Sequence, residues 1–303
     1  MPETPGNHDR ARLLTLATTA SVATAGVLIA VKLVAWLLTG SVSVLASLID
    51  SLMDAAASLI NFFAVRYSLT PADDEHRFGH GKAESLAGLA QAAFIAGSAV
   101  FLVMHAIDRM LHPRPIEAML VGIAVMIFAI VATLVLLAIQ RYVVRRTGSM
   151  AIRADSLHYM TDVLTNVSII AALLFVSFGW ESSDSIFAIG IAAYILYSAW
   201  QIAHDAFHLL MDRELPEEER QGILQVVQTH AQVCGVHDLR TRQSGATKFV
   251  QLHLELDEDL SLKAAHSIGD EVVEAICAAF PTAHVTIHQD PVSSRQHAVM
   301  PAP

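Results

Sequence analysis

Six long apolar stretches, followed by a charged segment with alternating apolar residues, predict a polytopic α-helical membrane protein with six transmembrane helices and a C-terminal cytoplasmic α+β domain of order α-β-β-α-β. Composition agrees. The chain is 54% hydrophobic and only 16% charged, where soluble domains carry about 25% charge. The change of character near residue 210 is a third observation. From there on the chain holds 14 acids against 7 bases, which accounts for most of the net charge of −10. That balance excludes nucleic acid as a partner. Residues 1–209 are read as the transmembrane domain, 210–291 as the α+β domain and 292–303 as a flexible tail.

The six stretches are 14–38, 42–66, 84–110, 117–140, 151–178 and 185–208. Each reaches the ~20 residues that a bilayer crossing needs. No small-residue cleavage pattern follows the first, so it reads as a span rather than a removed signal. An even number of spans puts both termini on one side. On that side lie Arg10, Arg12, Arg66, Arg77, Lys82, Arg141, Arg145, Arg146 and Arg153; the other side offers Arg109 and Arg114. The positive-inside rule therefore places both termini in the cytoplasm. Pro216 and the acidic run after it end the sixth stretch. Helical spacing over 217–232 and 261–279 predicts two helices. Alternation through Val250, Leu252, Leu254 and Leu256 predicts a strand, and HVTIHQD a last one. Cys234 and Cys277 are too few and too far apart for a disulfide framework.

The second stretch contains LIDSLMD, with Asp50 and Asp54 four residues apart. A carboxylate at the hydrocarbon centre costs roughly 2.5–3.5 kcal/mol on insertion scales, so two on one helix face point to function. The fifth stretch repeats the geometry with His158 and Asp162. Two helices presenting two ligands each make a site of three carboxylates and one imidazole. Such a set suits Zn2+ and would accept Fe2+, Mn2+, Co2+ or Cd2+. Lys32 could be an ion-pair partner, but it lies near the far end of the first span, where snorkelling of its ammonium to the interface is expected.

A second group, Asp73, His76 and His80, lies in PADDEHRFGHGKAE between the second and third spans. Spacing alone fits a metal site or a solvated loop with two histidines. A third comprises His237, His253, His266 and His288 in the C-terminal domain, with Asp290 ending HQD; packing could cluster them, and surface histidines remain the alternative. No HExxH helix is present, so a zinc-dependent intramembrane hydrolase is disfavoured and no enzyme is expected. A membrane-anchored metal sensor would leave the intramembrane acids without work. Few aromatics line the spans, which disfavours an organic-cation carrier.

The motifs LIDSLMD, PADDEHRFGHGKAESLAGLAQ, ADSLHYMTD and HVTIHQDP resemble those of the cation diffusion facilitator family, specifically its bacterial ferrous-iron and zinc efflux branch, over residues 12–291. The resemblance implies a homodimer in the bacterial inner membrane, six spans per subunit and a metallochaperone-like cytoplasmic domain. It implies a transport site at Asp50, Asp54, His158 and Asp162, and a loop site at Asp73, His76 and His80. A binuclear site at His237, His253, His266 and His288, bridged by Asp290, is implied as well, and so is an interlock between Lys82 and Asp212. The expected activity is export of zinc, with Fe2+ or Cd2+ as further cargo, against protons. Metal needs ionised carboxylates and a neutral imidazole, whose ordinary pKa is ~6.5, so protons and metal compete for one site.

Overall fold

The computed structural model describes residues 5–40, 42–111, 119–177 and 183–293. The expected tail lies outside the described residues from 294 onward. The chain divides into two compact units, His8–Phe207 and a second that begins at His208.

Six long helices account for the first unit: α1 (Pro5–Thr39), α2 (Val42–Ser68), α3 (Lys82–Leu111), α4 (Met119–Thr147), α5 (Met150–Ser177) and α6 (Ser183–Leu210). Within it, the segments His8–Thr39, Ser47–Ser68, Lys82–Phe101 and Ile123–Thr147 are long and apolar enough to cross a membrane. Their outward side chains suit lipid rather than water: Leu38 is 81% and Phe101 70% exposed. Several helices outrun the apolar stretches. α1 begins nine residues early and α4 continues through Arg141, Arg145 and Arg146, because hydropathy reports the bilayer while backbone hydrogen bonding continues into the polar flank.

α5 is the central element, packed against α2, α3 and α4. Its start is fixed from several sides. Gly148, at φ +63°, ends α4 in the left-handed conformation that closes a helix, and the Ser149 hydroxyl accepts from the Ile152 amide at 3.3 Å. Glu84 at the start of α3 accepts from the Met150 amide at 3.0 Å and pairs with Arg10 of α1 at 3.1 Å. Gly88 lets α3 approach closely, since a Cβ there would lie 2.8 Å from Met150 Cγ.

The second unit contains α7 (Glu217–Gln228), β1 (Gly235–Ser244), β2 (Thr247–Asp257), α8 (Leu262–Ala279) and β3 (Ala283–Val292), the element order the sequence predicts. β1 and β2 form a hairpin through Gly245 and Ala246, with Gly245 at φ +60° as so short a connection needs. Ser261 caps α8, accepting from the Ala264 amide. α8 is the crossover that lets β3 pair parallel to β2 in a sheet of order β1-β2-β3.

Period 2 divides the sheet into two faces. Val250, Leu252, Leu254 and Leu256 are buried and pack with Ile223 and Val227 of α7 and with Ile268, Val272 and Ile276 of α8. The intervening residues, His253 among them, turn to the opposite face. Leu254→Ala is expected to destabilise this domain by about 2–5 kcal/mol through lost burial and a residual cavity. Denaturant unfolding of the purified chain in detergent measures it.

Candidate metal centres

Among the described residues, three groups of His and acidic side chains bring ligand atoms within 4.8 Å of one another: Asp54, His158 and Asp162; Asp73, His76 and His80; and His237, His253 and Asp290.

The first is built by α2 and α5 inside the membrane unit. His158 Nε2 lies 3.0 Å from Asp54 Oδ1. That nitrogen is buried without a properly directed hydrogen bond, although ligand atoms of His158, Asp54 and Asp162 lie within 4.8 Å of one another. Phe94 meets the imidazole edge-on at 5.8 Å. Asp50, one turn away on α2, is exposed and stands outside the three-residue group. The i,i+4 spacing put it on the same helix face, but α5 supplies His158 and Asp162 at the level of Asp54.

A polar network not anticipated from the sequence holds α5 in place. Asp155, fully buried one turn before His158, accepts from Ser21 Oγ of α1 at 2.6 Å and from Gln140 Nε2 of α4 at 2.7 Å. The Tyr159 hydroxyl lies 2.8 Å from Ser58 Oγ of α2 and donates to the Ser21 carbonyl at 3.3 Å. Asp155 stands in ADSLHYMTD three residues before His158; that i,i+3 spacing was the available signal.

Lys32 departs from expectation. Instead of snorkelling, its ammonium turns into α2, donating to Ser51 Oγ at 2.6 Å and to the Ser47 carbonyl at 3.1 Å. Two acceptors on the neighbouring helix satisfy it nearer than the interface does.

In the loop group, Asp73 Oδ1 accepts from the backbone amides of His76 at 2.6 Å and Glu75 at 3.1 Å. Those bonds, the His76 amide first, hold its carboxyl below the usual carboxylate range. His80 is buried. Its Nδ1 faces the Thr70 carbonyl at 3.2 Å, which can only accept, so Nδ1 carries the proton and Nε2 is left facing Asp73 Oδ2 at 3.3 Å. Gly79, at φ +79°, makes the turn that returns the chain to His80.

The third group follows from strand register. His237 pairs with His253 across β1 and β2, and His253 with His288 across β2 and β3. The three imidazoles form a row on the face opposite the core. Asp290 serves all of them: Oδ2 lies 2.8 Å from His253 Nδ1 and 3.4 Å from His237 Nε2, and Oδ1 lies 3.3 Å from His288 Nε2. The His253 hydrogen bond, above all, holds the Asp290 carboxyl below the usual range. A carboxylate with each oxygen turned to a different imidazole has the shape of a bridging ligand. His266 is not brought in: its Nε2 faces Asp270 Oδ2 at 3.5 Å along the exposed surface of α8, an i,i+4 contact of that helix. Glu255 joins the group unforeseen, 3.0 Å from His237 Nδ1; it is two residues past His253 and so on the same face. A bulge between His237 and Arg240, with Asp238 at φ +46°, brings Asp238 Oδ2 to 3.8 Å from His253 Nε2.

A membrane-integral helical unit followed by an α+β unit, each holding a His–carboxylate cluster, delimits the class of protein. Residues 18–211 match the cation efflux transmembrane domain, and residues 215–292 the cation efflux protein cytoplasmic domain. The chain belongs to the cation efflux family. It is 52% identical over 287 residues to the cation-efflux pump FieF of Klebsiella pneumoniae and to that of Cronobacter sakazakii, covering 95% of this chain and 96% of each relative. The FieF pump of Escherichia fergusonii shows the same identity and coverage. The metal-bound C-terminal domain of the CzcD transporter from Thermotoga maritima is similar at 25% identity over 24% of this chain and 87% of that one, with a TM-score of 0.24.

Gln140→Leu removes a donor to the buried Asp155 carboxyl. It is expected to destabilise the membrane unit by about 1–3 kcal/mol, read as lowered thermal stability in detergent.

Proposed function

We propose that this chain exports divalent metal, zinc first and Fe2+ or Cd2+ as further cargo, across the bacterial inner membrane in exchange for protons. The observation that carries the reading is the convergence of Asp54, His158 and Asp162 from two helices of a membrane-integral unit. Oxygen and imidazole donors without thiolate suit borderline divalent ions, and zinc takes four such ligands. Asp50 is the fourth, one turn along α2, completing the set when cargo draws it in. The curated relatives are named cation-efflux pumps, which supports the same direction of transport.

The ligands themselves supply the coupling. His158 must be neutral and the carboxylates ionised to hold metal, so protonation expels what deprotonation admits. Facing the cytoplasm, the site exchanges protons for metal; facing outward, it does the reverse. Rocking of α2 and α5 relative to their neighbours moves access from one side to the other around a fixed site. No covalent step is involved, and the protein is not an enzyme.

We assign residues 1–209 to the transport domain and 210–291 to a cytoplasmic metal-sensing domain, with both termini inside. The row of His237, His253 and His288 bridged by Asp290 binds metal there and stabilises a homodimer, since a ligand favours the state that binds it better. His266 lies on α8, across the sheet from that row in its own subunit, and we assign it to the site only through the second subunit of the homodimer. Asp73, His76 and His80 form a third site near the membrane surface.

In proteoliposomes carrying a pH gradient, zinc flux is expected to require the gradient and to fall at least a hundredfold in Asp54→Ala. Zinc bound by the purified chain with no flux under any gradient would overturn the transporter reading in favour of a sensor. Replacing His253 and His288 together is expected to abolish the zinc-dependent gain in dimer stability, measured by analytical ultracentrifugation with and without zinc.

A further inference from the structure

The intramembrane cluster has a neighbour of opposite charge that metal binding does not use. Lys32 reaches from α1 into α2 and is held by Ser51 Oγ and the Ser47 carbonyl. Ser51 is buried and falls between Asp50 and Asp54 on the same helix. Asp50 directly precedes Ser51 and Asp54 lies three residues past it, so the ammonium held by Ser51 sits within about one helical turn of two of the four groups assigned to cargo. A long neutral side chain with an amide donor could also bond these acceptors, so the hydrogen bonds alone do not call for a charge.

We propose that Lys32 is the fixed counter-cation of the transport site, weakening its hold on divalent metal and speeding release. The proposal rests on the reading of Asp54, His158 and Asp162 as that site. A tethered positive charge shares the field of the carboxylates, so each incoming ion binds against its repulsion. The effect is large where water is scarce. A carrier needs such a term, because conduction requires binding strong enough to load and weak enough to unload. Position fits the role. Lys32 lies seven residues from the C-terminal end of α1 and Ser47 five residues from the N-terminal end of α2, which puts both about 10 Å or less from those ends along the helix axes. With the N-terminus inside, that is the side toward which cargo leaves. Lys32 touches no ligand atom directly; it is a positioning residue that acts through the charge of the acids.

The test is zinc efflux kinetics in proteoliposomes for the intact chain, Lys32→Met, Lys32→Gln, Lys32→Arg, Ser51→Ala and Asp54→Ala. Removing the charge is expected to lower KM for zinc by about tenfold, from the lost repulsion in low dielectric, and to lower the maximal rate as unloading slows. Lys32→Gln keeps a hydrogen-bond donor toward Ser51 and decides the matter if Lys32→Met folds poorly. Lys32→Arg is expected to hold KM within about twofold of the parent, and Ser51→Ala, which keeps the charge and loses a hydrogen bond, to do the same. A KM that is unchanged or raised in Lys32→Gln, with or without a fall in rate, would mean a helix staple and overturn the proposal. Flux that survives in Asp54→Ala would instead overturn the site on which the proposal stands, whatever the Lys32 variants do.

Discussion

A carboxyl group taken into hydrocarbon needs a cation, a proton or a hydrogen-bond donor beside it, and the membrane unit is organised around that need. Three of its acids are provided for differently. Asp155 has Ser21 and Gln140; Asp54 has His158; Glu84 has Arg10 and the Met150 amide. All three arrangements end on α5 or beside it. The helix that packs against most of its neighbours is thus also the one whose rotation and depth are specified by polar contacts, while apolar packing supplies contact area without choosing a register. A helix so fixed can hold His158 and Asp162 at a set height opposite α2.

The second unit meets a related demand by another route. A three-stranded sheet with helices on one face leaves the other face to water, and the alternation in β2 assigns leucines to one side and His253 to the other. Its polar face carries a cluster in register, built from backbone hydrogen bonding. No residue there has to be buried to be positioned. The two units therefore place the same donor types in two settings: one dry and centred on helix faces, one open and centred on strand register.

Much of this was legible in the residues. The i,i+4 spacing that groups His158 and Asp162 is a property of any helix, and period 2 puts Val250 through Leu256 on one face of any strand. What escaped depended on partners that local pattern does not name. Depth alone places Lys32 at the interface, but the acceptors of Ser47 and Ser51 on the next helix outcompete it. Asp155 has no feature in its own helix that separates it from a ligand; Ser21 and Gln140, more than a hundred and fifteen positions apart, make the difference. Asp50 and His266 share residue type and spacing with the grouped residues, yet height along α2 and the local Asp270 contact keep them out of the three-residue groups. Hydropathy does not mark the end of α4, which arginines prolong past its apolar stretch.

The row of imidazoles has a consequence for how the chain reaches its fold. β2 and β3 pair in parallel across an intervening helix, a slow and non-local event in which misregistered strands are the natural error. A slip of one residue in β3 would turn His288 and Asp290 toward the leucines and bring Ile287 and Gln289 to the open face. Every donor contributed by β3 would be lost at once. Any ion that needs those donors together is bound only by the correctly threaded chain, so the cluster would act as a proofreader of assembly before it serves the finished protein.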